Sequence, residues 1–229
     1  MATILTEHAL TTVETMLAEL GLSEPATEDD TQTALLERLI NAASERIERF
    51  CHRHFEYGAE IEEATAGMGT PFLVLSRTPL VEIASVTMDG TAFDEDSYEV
   101  ADAEAGTVYR AAGWPWAGLR LSGIAQDPLP GTERQNIVAT YAGGYVTPAQ
   151  EVAPGEGNGE PDPGLPRTLP YDLEQCVIDT VVYLYRNRGQ DLSIVSERVL
   201  SAAYQYDRAH SLPGSVVRGL APYVRIISA

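Results

Sequence analysis

The segment LPYDLEQCVIDTVVYLYRNRG, residues 169–189, has the pattern of a helix that is covered on several sides. Asp172 is predicted to cap its first turn, and Gly189 is predicted to end it just after two arginines. Its apolar side chains recur at helical spacing around most of the circumference: Leu173, Cys176, Val177, Ile178, Val181, Val182, Leu184 and Tyr185. We therefore expect residues 172–188 to form the central helix of the fold.

A second helix is predicted over residues 31–53. Glutamate and arginine alternate in sign along one face, as on a solvated surface, and the other face is apolar. The apolar positions are Leu35, Leu36, Leu39, Ile40, Ala43, Ile47, Phe50 and Cys51. A shorter amphipathic helix is expected over residues 11–21, with Thr12 as its N-cap and Gly21 at its end.

From about residue 56 the apolar period changes from helical to alternating. Strands are expected at residues 60–65, 72–75, 83–88, 91–93, 98–101, 107–110 and 136–141. The dipeptide Asp89-Gly90 is a strong signal for a two-residue hairpin turn. These segments predict a small antiparallel sheet that is inserted between the two helices.

The sequence therefore predicts an α+β fold. Its helical core contains long helices over about 31–53 and 172–188, with an inserted small antiparallel β subdomain and an extended C-terminal arm. The predicted divisions are N-terminal helices over 1–55, the β subdomain over 56–147, a Pro/Gly-rich mobile loop over 148–170, and the core helix and arm over 171–229. Residues 192–208 fit a strand, an arm or a helix equally well.

The chain has 229 residues, a formal net charge of −19 at pH 7 and no lysine. The acids concentrate in residues 1–30 and 56–109, whereas the helical regions are nearly neutral. A general DNA-binding protein needs a basic footprint, so this composition argues against that class. It does not exclude a surface past which DNA slides. No apolar run approaches the roughly 18 residues of a membrane span, so no membrane-spanning helix is expected.

Cys51, His52 and His54 invite a metal interpretation, but their spacing is not that of a zinc knuckle. The other histidines and Cys176 are remote in the sequence, so no metal site and no cofactor are predicted. The sequence also lacks a nucleophile elbow, a P-loop and a dinucleotide fingerprint. We therefore predict that the protein is not an enzyme, although chance pairs of carboxylates are abundant.

Two further features leave alternatives open. Trp114 and Trp116 can stack on a sugar or a base, which would make the sheet a ligand- or glycan-binding module with helical supports. The alternative is that they pack against the sheet or a neighbouring subunit. The chain ends in an apolar segment that is a candidate partner-docking arm, formed by Tyr223, Val224, Arg225, Ile226 and Ile227. The alternative for this segment is that it folds back on its own helices.

The order of these segments resembles the head–tail connector (adaptor) proteins of long-tailed bacteriophages. The resemblance extends from about residue 11 to residue 226 and rests on an ordered set of motifs. These are the A-A-S-x-x-I-E helix at residues 42–48, the T-Y-A-G-G-Y strand end at residues 140–145, and the L-A-P-Y-x-R-I tail at residues 220–226.

The resemblance implies a virion structural protein without catalytic residues, located in the neck at the portal vertex and assembled in the host cytoplasm. Proteins of this family form a ring, typically a dodecamer, between the portal protein and a stopper or tail-completion protein. The ring encloses the DNA exit channel, through which DNA passes without sequence-specific binding. No membrane contact is implied.

Overall fold

A computed structural model gives the fold, and it describes residues 5–6, 8–22, 31–115, 135–151, 165–188, 196–199, 202–205 and 212–225. The chain forms two compact units. Unit 1 combines Met1–Glu56 with Val146–Ala229, and unit 2 is the contiguous segment Tyr57–Tyr145. Helices and antiparallel sheets are both present, so the fold is α+β as predicted. No helix in the described ranges has the length and apolarity needed to cross a membrane.

The described residues of unit 1 form four α-helices: α1 (Val13–Leu20), α2 (Thr31–Cys51), α3 (Tyr171–Arg186) and α4 (Gly214–Leu220). The predicted ends of α1 are confirmed, because the Thr12 hydroxyl accepts from the Thr15 amide and Gly21 takes the left-handed conformation at φ 64°. Helix α1 packs on both α2 and α3, and α3 also contacts α2 and α4. Helix α3 therefore lies at the centre of unit 1, as its all-round apolar pattern predicted.

The predicted cap of α3 is wrong. Pro170 occupies the N-cap position and the helix begins at Tyr171, so Asp172 lies inside the first turn. Proline can lead into a helix because its missing amide is one that the first turn leaves unpaired. The helix ends at Arg186, and the amide of its C-cap Asn187 donates to the Tyr183 carbonyl, whereas Gly189 lies outside the described residues.

The core of unit 1 is built from fully buried side chains on all four helices. Helix α2 ends at Cys51, two residues earlier than predicted, because His52 has a positive φ of 54° that no helix accommodates. Leu184, which belongs to the predicted apolar pattern of α3, is only half-buried. The completely buried apolar positions include Leu36, Ile40, Ala43 and Ile47 on α2, Leu173, Val177 and Val181 on α3, and Leu220 on α4.

In unit 2, the residues that the structure describes form seven strands in two antiparallel sheets, where the sequence predicted one sheet. The strands are β1 (Gly58–Thr65), β2 (Phe72–Val74), β3 (Leu80–Met88), β4 (Thr91–Ala92), β5 (Glu99–Asp102), β6 (Thr107–Tyr109) and β7 (Ile137–Gly143). One sheet has the order β1-β7-β3-β4 and the other has the order β2-β6-β5. The predicted hairpin is confirmed, since Asp89 and Gly90 both have positive φ and Met88 pairs with Thr91.

The remaining segments of unit 1 differ in part from expectation. Residues 152–164 of the predicted mobile loop lie outside the described residues, but the end of that loop packs. The Thr168 and Leu169 amides donate to the Val146 carbonyl at 3.1 Å, and Leu169 is buried. Strands β8 (Ser196–Val199) and β9 (Ala202–Gln205) form an antiparallel pair, which resolves the ambiguity of residues 192–208 for these two stretches.

Candidate functional site

Three chain segments of unit 1 meet at the C-terminal end of α2. The Arg225 amide donates to the Cys51 carbonyl at 2.9 Å, which attaches the end of the described chain to the last residue of this helix. The Tyr223 hydroxyl donates to Asp172 Oδ1 at 2.7 Å, in the first turn of α3. The Tyr223 ring also meets the edge of Phe55, with the ring centroids 6.2 Å apart.

These contacts place the predicted docking residues. Tyr223, Val224 and Arg225 are half-buried, and Ile226 and Ile227 lie outside the described residues. The described part of the predicted extended arm therefore lies against its own helices, as in the alternative left open above. The sequence could not show this, because the partners of Tyr223 are about 50 and 170 residues away in the chain.

Two side chains of the helix motif at residues 42–48, Ser44 and Glu48, hold neighbouring segments of unit 1 in place. Ser44 is fully buried, and its Oγ accepts a hydrogen bond from the Leu10 amide at 3.1 Å. Glu48 Oε1 accepts from the Phe55 amide at 3.0 Å, just after the helix has ended. Glu48 therefore fixes the path of the chain as it leaves α2.

Glu48 belongs to a cluster of two histidines and two glutamates. His54 Nδ1 lies 3.0 Å from Glu48 Oε2, and His8 Nδ1 lies 2.8 Å from Glu56 Oε1. One potential ligand atom from each of the four residues lies within 4.8 Å of the others. Burial, followed by the nearby Glu56 carboxylate, raises the pKa of Glu48, although the Phe55 amide and His54 act in the opposite direction.

This grouping differs from the set considered in the sequence. His54 is in the cluster, whereas His52 is an exposed neighbour and Cys51 is a buried free thiol. The missed members are His8, which is 40 residues or more from the others, and the two glutamates. A glutamate on the last turn of a helix with a histidine six residues later is too common a pattern to have pointed to them.

A further charge pair lies at the start of α3. Arg167 Nη2 lies 2.7 Å from Glu174 Oε2, and the two side chains are only 17% and 8% exposed. The Thr11 hydroxyl donates to Glu174 Oε1 at 2.9 Å. Both carboxylate oxygens of Glu174 are therefore engaged, which is what a buried carboxylate requires. This network joins the entry to α1, the first turn of α3 and the segment that precedes α3.

The two cysteines are buried and reduced on facing helices. Burial raises the pKa of Cys51 to about 12, although Arg53 acts in the opposite direction. Burial also raises the pKa of Cys176. Both groups are therefore protonated and inert at neutral pH, which agrees with the prediction of buried thiols.

Among the described residues of unit 2, Trp114 does not provide the stacking surface that the alternative function required. Trp114 is fully buried, its indole donates to the Val108 carbonyl at 3.3 Å, and Phe93 meets it edge-on. It is therefore unavailable to a sugar or a base, while Trp116 lies outside the described residues. Most of the large apolar side chains that are exposed belong to this unit: Met68, Phe72, Val74, Val81 and Val100.

The strand motif at residues 140–145 has a structural explanation. The Tyr141 hydroxyl donates to Glu63 Oε2 at 2.6 Å and accepts from the Arg77 amide at 3.0 Å. A Cβ atom at Gly143 would lie 2.7 Å from the Arg77 carbonyl oxygen, so only glycine fits there. Burial, and then the hydrogen bond to Glu63, raises the pKa of Tyr141 to about 12.

Comparison with known proteins gives one family and a set of solved folds. The family model of head completion proteins matches residues 9–120. The fold is similar to a chain in the neck of an empty GTA particle, with TM-score 0.54 and 15% identity over 99% of this chain and 96% of the other. It is also similar to chains from the neck of the native GTA particle (TM-score 0.52, 14% identity, 99% and 96% covered) and from the native gene transfer agent virion (TM-score 0.51, 14% identity, 97% and 92% covered).

The search of curated proteins returned no match for this chain. The family match rests on the sequence, and the structural matches rest on the fold. Together they support the resemblance that the ordered motifs indicated.

Proposed function

We propose that this chain is a structural protein of the virion neck. The premise is that the chain is a head–tail connector protein, which the family match and the fold matches support. In this proposal it forms an oligomeric ring, a dodecamer in the virion, between the portal protein and a stopper or tail-completion protein. The ring encloses the channel through which DNA leaves, and it carries out no catalysis. The observation that carries the proposal is a fold shared with neck components over almost the whole chain.

The charge of the chain supports the role of a conduit. A net charge of −19 without any lysine gives DNA phosphates little to bind. Phosphate repulsion would keep the duplex from adhering to the channel wall while it moves. Binding to free duplex DNA is therefore expected to be weak at physiological salt and to show no sequence preference.

The docking role is assigned to the C-terminal segment that follows α4. Its described part is fixed by Tyr223 on α3 and by Arg225 on α2, so these residues serve as its base. In the proposal, Ile226 and Ile227 are the part that contacts the portal protein or the adjacent subunit. An apolar docking segment on a well-fixed base loses little conformational freedom when it binds.

Two truncations separate docking from folding. Removal of residues 226–229 keeps every described contact, whereas removal of residues 222–229 also deletes Tyr223 and its hydrogen bond to Asp172. We expect the shorter truncation to retain the wild-type melting temperature and yet to fail to join portal-bearing heads to tails. The longer one should also melt earlier. The measurements are thermal unfolding by circular dichroism and electron microscopy of filled heads.

The ring itself is tested on the same proteins by native mass spectrometry, alone and with purified portal protein. A wild-type chain that stays monomeric under both conditions would contradict the proposed ring. If the shorter truncation still joins heads to tails, the docking role of the C-terminal segment is wrong. The exposed side chains of β2, Phe72 and Val74, then become the better candidates for partner contact.

A further inference from the structure

We propose that His8, Glu48, His54 and Glu56 form a binding site for a divalent transition-metal ion, with zinc as the best fit. The four residues supply two imidazole nitrogens and two carboxylate oxygens, which are ligand types that zinc accepts. This replaces the expectation drawn from the sequence, which considered Cys51, His52 and His54 as a set and predicted no metal. The inference is independent of the proposed role in the neck.

The geometry is close to that of a four-coordinate site. The four ligand atoms lie within 4.8 Å of one another, and each histidine Nδ1 is already within 3.0 Å of a carboxylate oxygen. Ligand atoms that sit about 2.0–2.2 Å from a tetrahedral zinc ion are about 3.4 Å apart. The longest separation therefore has to shorten by roughly 1.4 Å for the four atoms to reach tetrahedral spacing.

The burial and charge of the cluster favour a cation. The side chains of Glu48 and Glu56 are 8% and 7% exposed, and the two carboxylates are near enough to repel each other. A divalent ion would neutralise both of them in a place where water cannot. The histidines are 49% and 62% exposed, which leaves an open side through which the ion can enter.

The orientation of the glutamate on α2 is set in advance. Glu48 Oε1 is held by the Phe55 amide at 3.0 Å, so Oε2 is directed at His54 and at the centre of the cluster. A hydrogen bond from the backbone to a ligating carboxylate is a typical outer-shell feature of metal sites. A bound ion would also connect the segment before α1, which carries His8, to the chain that leaves α2.

The test is a calorimetric zinc titration of the full chain without a polyhistidine tag, after removal of metal by a chelator, at about pH 7.5, where most imidazoles are neutral. We expect one saturable zinc site per chain and a higher melting temperature in the presence of zinc. His54→Asn and His8→Asn should each weaken zinc affinity by more than the roughly 10–100-fold typical of losing an outer-shell partner.

The matched control is His52→Asn. This histidine is exposed, lies two residues from His54 and is outside the cluster, and asparagine tolerates its positive φ of 54°. Its zinc affinity should equal that of the wild type. Circular dichroism of each variant checks that it folds, and a wild-type chain without saturable zinc binding overturns the proposal even if a variant does not fold.

Three results would overturn the proposal. The first is a wild-type chain that shows no saturable zinc binding, which would leave the cluster as two histidine–glutamate hydrogen bonds. The second is zinc binding that survives both His8→Asn and His54→Asn. The third is zinc binding that is lost in His52→Asn, because that would place the ion beside Cys51.

Discussion

Helix α4 approaches α3 closely at Gly219, which has no Cβ atom. A Cβ atom at Gly219 would lie 2.8 Å from the Sγ atom of Cys176. Non-bonded heavy atoms prefer separations of about 3.5–4.0 Å, so Gly219→Ala forces a movement of roughly 0.7 Å or more. We expect a steric cost of about 1–3 kcal/mol, offset by the gain of about 1 kcal/mol that alanine has over glycine inside a helix. The net loss in the free energy of unfolding is therefore about 1 kcal/mol.

Two companion variants make this expectation specific. Gly214 in the first turn of the same helix has no atom within 4 Å of its virtual Cβ, so Gly214→Ala should be neutral or slightly stabilising. The Cys176→Ala variant lacks the Sγ atom, so Gly219→Ala should stabilise the protein in that background. The assay is urea unfolding of the two single variants at positions 219 and 176 and of the double variant.

The double-mutant cycle should give a coupling energy of at least about 1 kcal/mol between Gly219 and Cys176. For a chain of this size the single variant Gly219→Ala should lower the melting temperature by roughly 2–4 °C. If Gly219→Ala stabilises as much as Gly214→Ala and shows no coupling to Cys176, the close approach of α3 and α4 is refuted. The tail that follows α4 would then not be positioned by this contact.

Two further predictions concern buried side chains. Val181→Asp places an unpaired carboxylate at a fully buried position of α3 and should lower the free energy of unfolding by at least ~3 kcal/mol. Leu184→Asp, at a half-buried position three residues later, should lower it clearly less. Equal losses in urea unfolding would contradict the burial of this face. The pKa of Tyr141 is raised to about 12 in the folded protein, from an unfolded value near 10. Its hydroxyl therefore contributes fully to the free energy of unfolding below pH ~10, and this contribution is lost as the pH rises through about 12. The difference in phenolate absorbance between the wild type and Tyr141→Phe should therefore appear near pH 12, and its appearance near pH 10 would show that the hydroxyl is in water.

Local patterns in the sequence predicted most of the elements because the elements themselves are locally determined. Thr12 and Gly21 fix the ends of α1, and Asp89 with Gly90 fixes the hairpin between β3 and β4. The all-round apolar pattern of α3 predicted its central place correctly. The start of α3 was misplaced because an aspartate in a first turn and an aspartate at an N-cap look alike in a sequence.

The candidate site could not be predicted in the same way, since it depends on contacts between distant segments. Tyr223 donates to Asp172, although 51 residues separate them in the chain, and His8 contacts Glu56 because the N-terminal segment packs beside it. No local period or spacing encodes such pairs. The motifs carried the family resemblance in the sequence, but their structural roles, such as the Ser44 contact with Leu10, depend on the fold.

Unit 1 is assembled from the two ends of the chain, and this has a consequence for the order of events during synthesis. Thr11 and Glu174, which share a buried hydrogen bond, are separated by 163 residues. The N-terminal helices therefore leave the ribosome long before their partner α3 exists, with the apolar face of α2 uncovered. Unit 2 is contiguous and can fold as soon as β7 has been made. Nascent chains that stop before residue 171 should accordingly contain a folded sheet region and protease-sensitive N-terminal helices.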